Sequence, residues 1–314
     1  MPALLTGLTH NTWWRVLLIG AFAWVGSILA SIYTGDTILQ PATILIGSWL
    51  VPFSLLVLIM EYVTRRWLTE SGQTALVPHR LLLAFAAGGA LGVWPAAAIE
   101  YTLSKVIPDG FFLSVAISEE VVKLAIVWML AGGLAFYTRR DGMLLGAAVG
   151  LGFSAVESLG YAYEVSKLDG GVNEAAIIAT EIQRGLLTPV GHALWTSLVA
   201  GALFAAARNG RLRPSWSLLG WLAVAIGLHV NWDTCQGWAV LLVARWLNQS
   251  VSLTEYRLGT LPNLTEVQSV VLGVVRNVML GVNAAIGLLF ARYQWRKGAR
   301  IPAVSAPEPP TASP

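Results

Sequence analysis

The sequence predicts an all-α fold, a polytopic transmembrane bundle of about eight helices. Three observations predict it. Charged residues make up 12% of the 314 residues and hydrophobic residues 56%, with a mean hydropathy of +0.65, whereas a soluble domain carries roughly a quarter charged residues. The apolar residues fall in runs of about 20 or more, long enough to cross a hydrocarbon core of roughly 30 Å. The cations collect at the ends of those runs, on alternate connections, as membrane topology requires.

Hydropathy places the runs at about 14–34, 39–60, 81–107, 111–137, 142–163, 185–207, 216–243 and 266–291. Each reads as a helix, because a spanning backbone must satisfy its own hydrogen bonds and none of the runs shows the alternation of a barrel strand. The first has Arg15 at its start and ends without a small-residue cleavage site, so it reads as a retained anchor rather than a cleaved signal. Trp13, Trp14, Trp67, Trp216 and Trp246 fall at run edges, where amphipathic rings prefer the headgroup level. One set of connections carries Arg15, Arg65, Arg66, Arg80, Arg139, Arg140, Arg208, Arg211, Arg213, Arg292, Arg296, Lys297 and Arg300. The other carries Lys105, Lys167, Arg184, Arg245 and Arg257. The bias puts the first set, and both termini, in the cytoplasm.

Residues 1–300 thus form one helical bundle, and the Pro- and Ala-rich tail 301–314 is expected to be disordered. The net charge of +3 does not imply nucleic acid, because its distribution is that of a membrane protein. The single cysteine, Cys235, excludes an intrachain disulfide framework and reads as an apolar filler within a helix.

Ionisable groups inside spans are costly and usually functional, and here they are concentrated. The fourth run carries Glu119, Glu120 and Lys123, with the lysine four and three residues from the two carboxylates, close enough to neutralise either one. The fifth carries Phe153 and Glu157 on one face, among Gly146, Ala147, Gly150, Gly152 and Ala155, which let neighbouring helices approach closely. The sixth contributes His192, and the seventh His229 and Asp233, one turn apart. Counted from the outer ends of their runs, Glu119, Glu120, Glu157, His192 and Asp233 all fall roughly 9–15 Å deep at 1.5 Å per residue, with His229 about a turn deeper. Glu100 and Arg276 lie in the same outer half and are expected to form a supporting ion pair.

The residues that carry this layer, EEVVK, GFSAVE, GHALWT and HVNWD in that order over about residues 111–240, resemble the PrsW family of intramembrane proteases, relatives of the CAAX prenyl proteases and of the APH-1 component of γ-secretase. The resemblance implies a proteolytic core with Glu119, Glu120, Glu157, His192, His229 and Asp233 at functional positions and Lys123 in support. It implies a membrane-tethered, anti-sigma-factor-like substrate cut on the extracytoplasmic side of a bacterial plasma membrane. The chain departs from the family pattern in having Ser158 rather than Asn after the second-motif glutamate, and it has no periplasmic domain.

Peptide hydrolysis needs an activated water, an oxyanion stabiliser and a proton for the leaving amine. No serine stands in a nucleophile setting and Cys235 lacks a partner motif, so a carboxylate-activated water is the natural route. Glu119 or Glu120 is the expected base, assisted by Glu157 or His192, with His229 and Asp233 positioning water or oxyanion. The same groups could hold a divalent metal such as zinc, through His192, His229 and Glu157. A proton-coupled transporter and a non-catalytic scaffold are the alternatives from other classes, because relays are built from the same residue types.

Overall fold

A computed structural model describes residues 11–69, 74–167 and 173–298, and among these residues there are helices and no strands. In chain order the helices are α1 (Thr12–Thr34), α2 (Gln40–Thr69), α3 (Pro78–Val106), α4 (Phe111–Ala131), α5 (Arg139–Ser166), α6 (Glu174–Leu187), α7 (His192–Ala205), α8 (Trp216–Trp246), the short α9 (Leu253–Leu258) and α10 (Glu266–Lys297). The segments Thr12–Thr34, Thr37–Thr69, Pro78–Val106, Arg139–Ser166, Glu174–Ala205 and Glu266–Lys297 are long and apolar enough to cross a membrane. α4 and α8 have spanning length, 21 and 31 residues, and occupy the two remaining predicted runs. Their apolar character is diluted by Glu119, Glu120 and Lys123 on one and by His229, Asn231, Asp233 and Gln236 on the other. The expected tail at 301–314 lies outside the described residues.

α5 is the central helix, and it packs against α2, α3 and α7. Small residues make this possible: a methyl group at Gly146 would meet the Thr196 carbonyl on α7, and one at Gly150 would meet the backbone of His192. Without side chains there the two backbones touch, which is how membrane helices gain van der Waals contact when lipid offers no hydrophobic driving force.

The Arg-rich end of the bundle is tied together by its charges. Asp141, fully buried, accepts from Thr74 Oγ1 at 2.8 Å and from the Ala75 amide at 3.2 Å, and pairs with Arg66 at 3.5 Å. Glu61 on α2 accepts from the first amides of α1, Thr12 and Trp13, a cap supplied by another helix to donors that α1 leaves unpaired. The tryptophans expected at span edges sit at helix ends with Trp14, Trp67, Trp216 and Trp246 exposed.

One predicted span differs in build. The run 185–207 is broken: α6 stops at Leu187, Thr188–Val190 forms a 3-10 turn, and α7 begins at His192. Pro189 supplies no amide to continue the α-helical ladder. The stretch 174–184, read from sequence as a connection, is instead part of α6, a helix capped by Asn173, whose side chain accepts from the Ala176 amide.

Candidate active site

Four helices bring six of the predicted residues and Lys123 together. Lys123 Nζ, fully buried on α4, lies 2.7 Å from Glu120 Oε1 and 3.4 Å from Glu119 Oε2, one and the same ammonium neutralising both neighbours on its own helix. It also stands 2.9 Å from His192 Nδ1 and 4.3 Å from the centre of the Phe153 ring. An ammonium can only donate, so His192 Nδ1 is the acceptor and the ring proton is on Nε2. That nitrogen donates to Glu157 Oε2 at 2.9 Å. His229 is held in the same manner from the other side: its Nδ1 donates to Glu120 Oε1 at 3.1 Å, leaving Nε2 3.7 Å from Glu119 Oε2 and 3.4 Å from Asp233 Oδ2.

Aromatic packing fixes the imidazoles. Trp195, one turn along α7 from His192, stacks on His229 with centroids 4.5 Å apart and meets His192 edge-on at 5.1 Å. The close approach of α5 to α7 at Gly150 sets the height of His192 against Glu157. The break before α7 puts His192 at the first position of its helix, where the chain from α6 arrives.

Arg184, which sequence reasoning placed in a connection, joins the group. On α6 it forms an ion pair with Glu157, donates from Nε to Ser158 Oγ at 2.8 Å, and lies over the Tyr161 ring at 4.3 Å. Ser158 thus takes part in seating the arginine beside the glutamate. The signal available in sequence was the amphipathic pattern of 174–187, apolar at Ile177, Ile178, Ile182 and Leu186 and polar between, directly ahead of a motif helix.

A cavity of about 510 Å³ opens onto this group, with Glu157, His192 and Asp233 on its surface and the turn Leu258–Thr260 at its rim. That turn is fixed by Gln236, whose Nε2 donates to the Gly259 carbonyl at 2.7 Å. Glu119, Glu120 and His229 lie deeper, 8%, 1% and 2% exposed. Glu119 is eight residues from the start of α4, about 12 Å at 1.5 Å per residue, so the group sits in the half of the bundle nearer the Arg-poor end. Glu100 and Arg276 do not pair: Arg276 bonds to the side chain of its neighbour Asn277 and lines the cavity. Cys235 is buried, as expected of a filler, with Sγ on the Asn231 carbonyl at 2.9 Å.

Glu119, His192 and His229 each offer one ligand atom within 4.8 Å of the others, a group able to hold a metal ion. Glu157, expected among the ligands, instead stands on the far nitrogen of His192. Three features of the donor set fit a divalent cation. Two imidazoles and a carboxylate are ligand types that zinc accepts. Both histidines give their other nitrogen to a carboxylate, the arrangement that orients metal-binding imidazoles. Four carboxylates, Glu119, Glu120, Glu157 and Asp233, face two permanent cations, Lys123 and Arg184, which leaves two negative charges when the histidines are neutral.

No curated protein and no solved structure matches the chain. Residues 77–254 match the family described as PrsW family intramembrane metalloprotease, a stretch that runs from the start of α3 into α9 and includes every residue of the group. With more than half of its length inside that match, and with the motif glutamates and histidines meeting at one buried point, the chain belongs to the PrsW family of intramembrane metalloproteases.

Proposed function

We propose that the chain hydrolyses peptide bonds of membrane-associated proteins at the Glu119–His192–His229 group, reached from the cavity at the Arg-poor end. The observation that supports this most directly is the double anchoring of the histidines: each turns one nitrogen toward Glu119, that of His192 also accepting from Lys123 Nζ, and the other onto a second carboxylate. Such fixation of tautomer and ring plane has little use in a packing role and is what a ligand set needs.

Glu119, His192 and His229 would hold the metal, with Asp233 beside them. A divalent cation such as zinc supplies a polarised water and a Lewis acid for the developing oxyanion. The protein residues do the rest. Glu157 and Glu120 hold the imidazole protons at His192 Nε2 and His229 Nδ1. Lys123 and Arg184 balance the carboxylates. Asp233 faces the cavity beside His229 Nε2 and is the residue placed to accept the water proton and return it to the leaving amine. Glu120 lies behind His229 and acts through it.

The bias of Lys and Arg puts the Arg-poor end outside the cytoplasm, so cleavage occurs toward the extracytoplasmic face of a bacterial plasma membrane, on a single-span protein of the anti-sigma-factor type. The test is metal analysis of the purified chain together with cleavage of single-span reporters before and after chelation. The expected result is about one equivalent of metal, loss of cleavage on chelation and recovery with zinc; Glu119→Ala and His192→Ala lose both metal and cleavage. A metal-free chain that cleaves, or either variant cleaving at the wild-type rate, contradicts the proposal.

A further inference from the structure

Arg276 lies on the wall of the cavity and is not taken up by the network at its floor. Its side chain is half-buried, it lines the same cavity as Glu157, His192 and Asp233, and its hydrogen bonds go to Oδ1 of Asn277 at 3.1 and 3.3 Å. Among the described residues no carboxylate pairs with it, whereas Arg184, the other arginine of the cavity, is committed to Glu157. Arg276 is ten residues beyond the start of α10 at Glu266, about 15 Å along the helix. A guanidinium at that depth in a span is costly unless it meets water or an anion. The cavity can supply water; the protein supplies no anion.

The walls on either side of this cation come from α6, through Gln183, Arg184 and Leu187, and from α10, through Arg276 and Leu280. The two helices do not pack along one another, and α10 meets this part of the chain at the Thr188–Val190 turn. An extended peptide lying in the cavity therefore runs between a wall with an unpaired cation and a floor with two carboxylates, Glu157 and Asp233. An acidic side chain on that peptide is repelled by the floor and attracted by the wall. Such a polarity would fix which way a peptide faces.

We propose that Arg276 is a specificity residue that binds the carboxylate of an Asp or Glu side chain of the substrate close to the bond that is cut. The planar guanidinium accepts such a carboxylate through two parallel hydrogen bonds. The proposal rests on the peptidase reading above and adds the chemistry of the substrate to it.

The experiment uses the full chain in nanodiscs and a set of single-span reporters in which Asp, Asn or Lys is placed at each position around the cleaved bond. With the wild-type protein, one position is expected to favour Asp over Asn by tenfold or more in kcat/KM, chiefly through KM. In Arg276→Gln that ratio falls to about one, in Arg276→Lys part of it survives, and in Arg276→Glu the same position favours Lys. Thermal unfolding of each variant shows that the folded state is kept. A wild-type enzyme that cleaves reporters with no Asp preference at any position overturns the proposal and leaves the peptidase reading standing. So does a preference that survives in Arg276→Gln, or an effect of Arg276→Gln that depends only on the content of anionic lipid, which would mark a headgroup site. A wild-type enzyme silent on every reporter, with metal bound, overturns the peptidase reading and this proposal with it.

Discussion

Asp141 and Glu157 lie on the same helix, α5, about 24 Å apart along its axis, and the protein uses the two carboxylates in opposite ways. Asp141 is enclosed, and its partners Arg66, Thr74 and Ala75 tie the connection between α2 and α3 to the start of α5. All of its bonding serves the fold. Glu157 is half-buried at the cavity, and its bonds to Arg184 and His192 lead onward to Lys123, Glu119 and His229. Buried charge alone therefore does not mark an active site. What marks it is that Glu119, His192 and His229 each bring a ligand atom within 4.8 Å of the others, the His192 nitrogen accepting from Lys123 Nζ.

The sharpest way to break this contrast is to neutralise one carboxylate at each end. Asp141→Asn turns one of the two acceptor oxygens into an amide that cannot accept, leaving the Thr74 hydroxyl or the Ala75 amide unpaired in a buried place, a loss of about 1–3 kcal/mol. Its expected outcome is a large loss of folded protein, with the folded remainder still cleaving reporter at close to the wild-type rate. Glu119→Gln does the reverse: Lys123 keeps Glu120, so the fold survives, while bound metal and turnover are lost together. Thermal unfolding followed by tryptophan fluorescence, with turnover expressed per folded molecule, reads both effects. If Asp141→Asn unfolds normally and is inactive, the two ends are not divided in this way.

A smaller effect separates the metal group from its supports. Arg184 touches Glu157 and Ser158 rather than the converging atoms, so it is a positioning residue. Removing an outer partner of this kind typically lowers metal affinity or activity by about 10–100-fold. Arg184→Gln is expected to weaken zinc binding and turnover together, and Arg184→Lys to recover part of both. Unchanged zinc affinity with reduced thermal stability would reduce the arginine to a packing role.

Much of this was legible in the sequence because membrane burial makes polar residues conspicuous. The helical membrane bundle followed from length and hydropathy, six of its segments being long and apolar enough to cross a membrane, and the layer of Glu119, Glu120, Glu157, His192 and Asp233 followed from residue counts along helices of alternating direction. Those arguments use one coordinate, depth, which sequence supplies. The misreadings needed rotation about the helix axis or contact between helices. Glu119 rather than Glu157 stands within reach of both histidine nitrogens, because only packing decides which carboxylate faces them. Glu100 and Arg276 share a depth but not a neighbourhood. Arg184 was hidden because a short helix joined to another by a 3-10 turn lacks the hydropathy of a span.

A third carboxylate offers the finest test of the comparison. Glu181 on α6 is buried and accepts from Trp24 Nε1 at 2.6 Å, so that α1 is fastened to the bundle by a neutral donor; Ser31 donates to Glu174 two turns away on the same face, at 2.6 Å. No cation among the described residues pairs with Glu181, and no histidine is oriented by it. An amide can accept the indole hydrogen bond as well as a carboxyl can. Glu181→Gln is therefore expected to change stability by less than about 1 kcal/mol and turnover by less than about twofold, whereas Trp24→Phe, which leaves a buried acceptor unsatisfied, should cost about 1–3 kcal/mol. The asymmetry between removing a charge and removing a donor is the signature of a carboxylate used as a fastening. Loss of cleavage in Glu181→Gln, with the fold intact, would show instead that this seam between α1 and α6 takes part in the reaction, because the change keeps the indole hydrogen bond and removes the ionisable group.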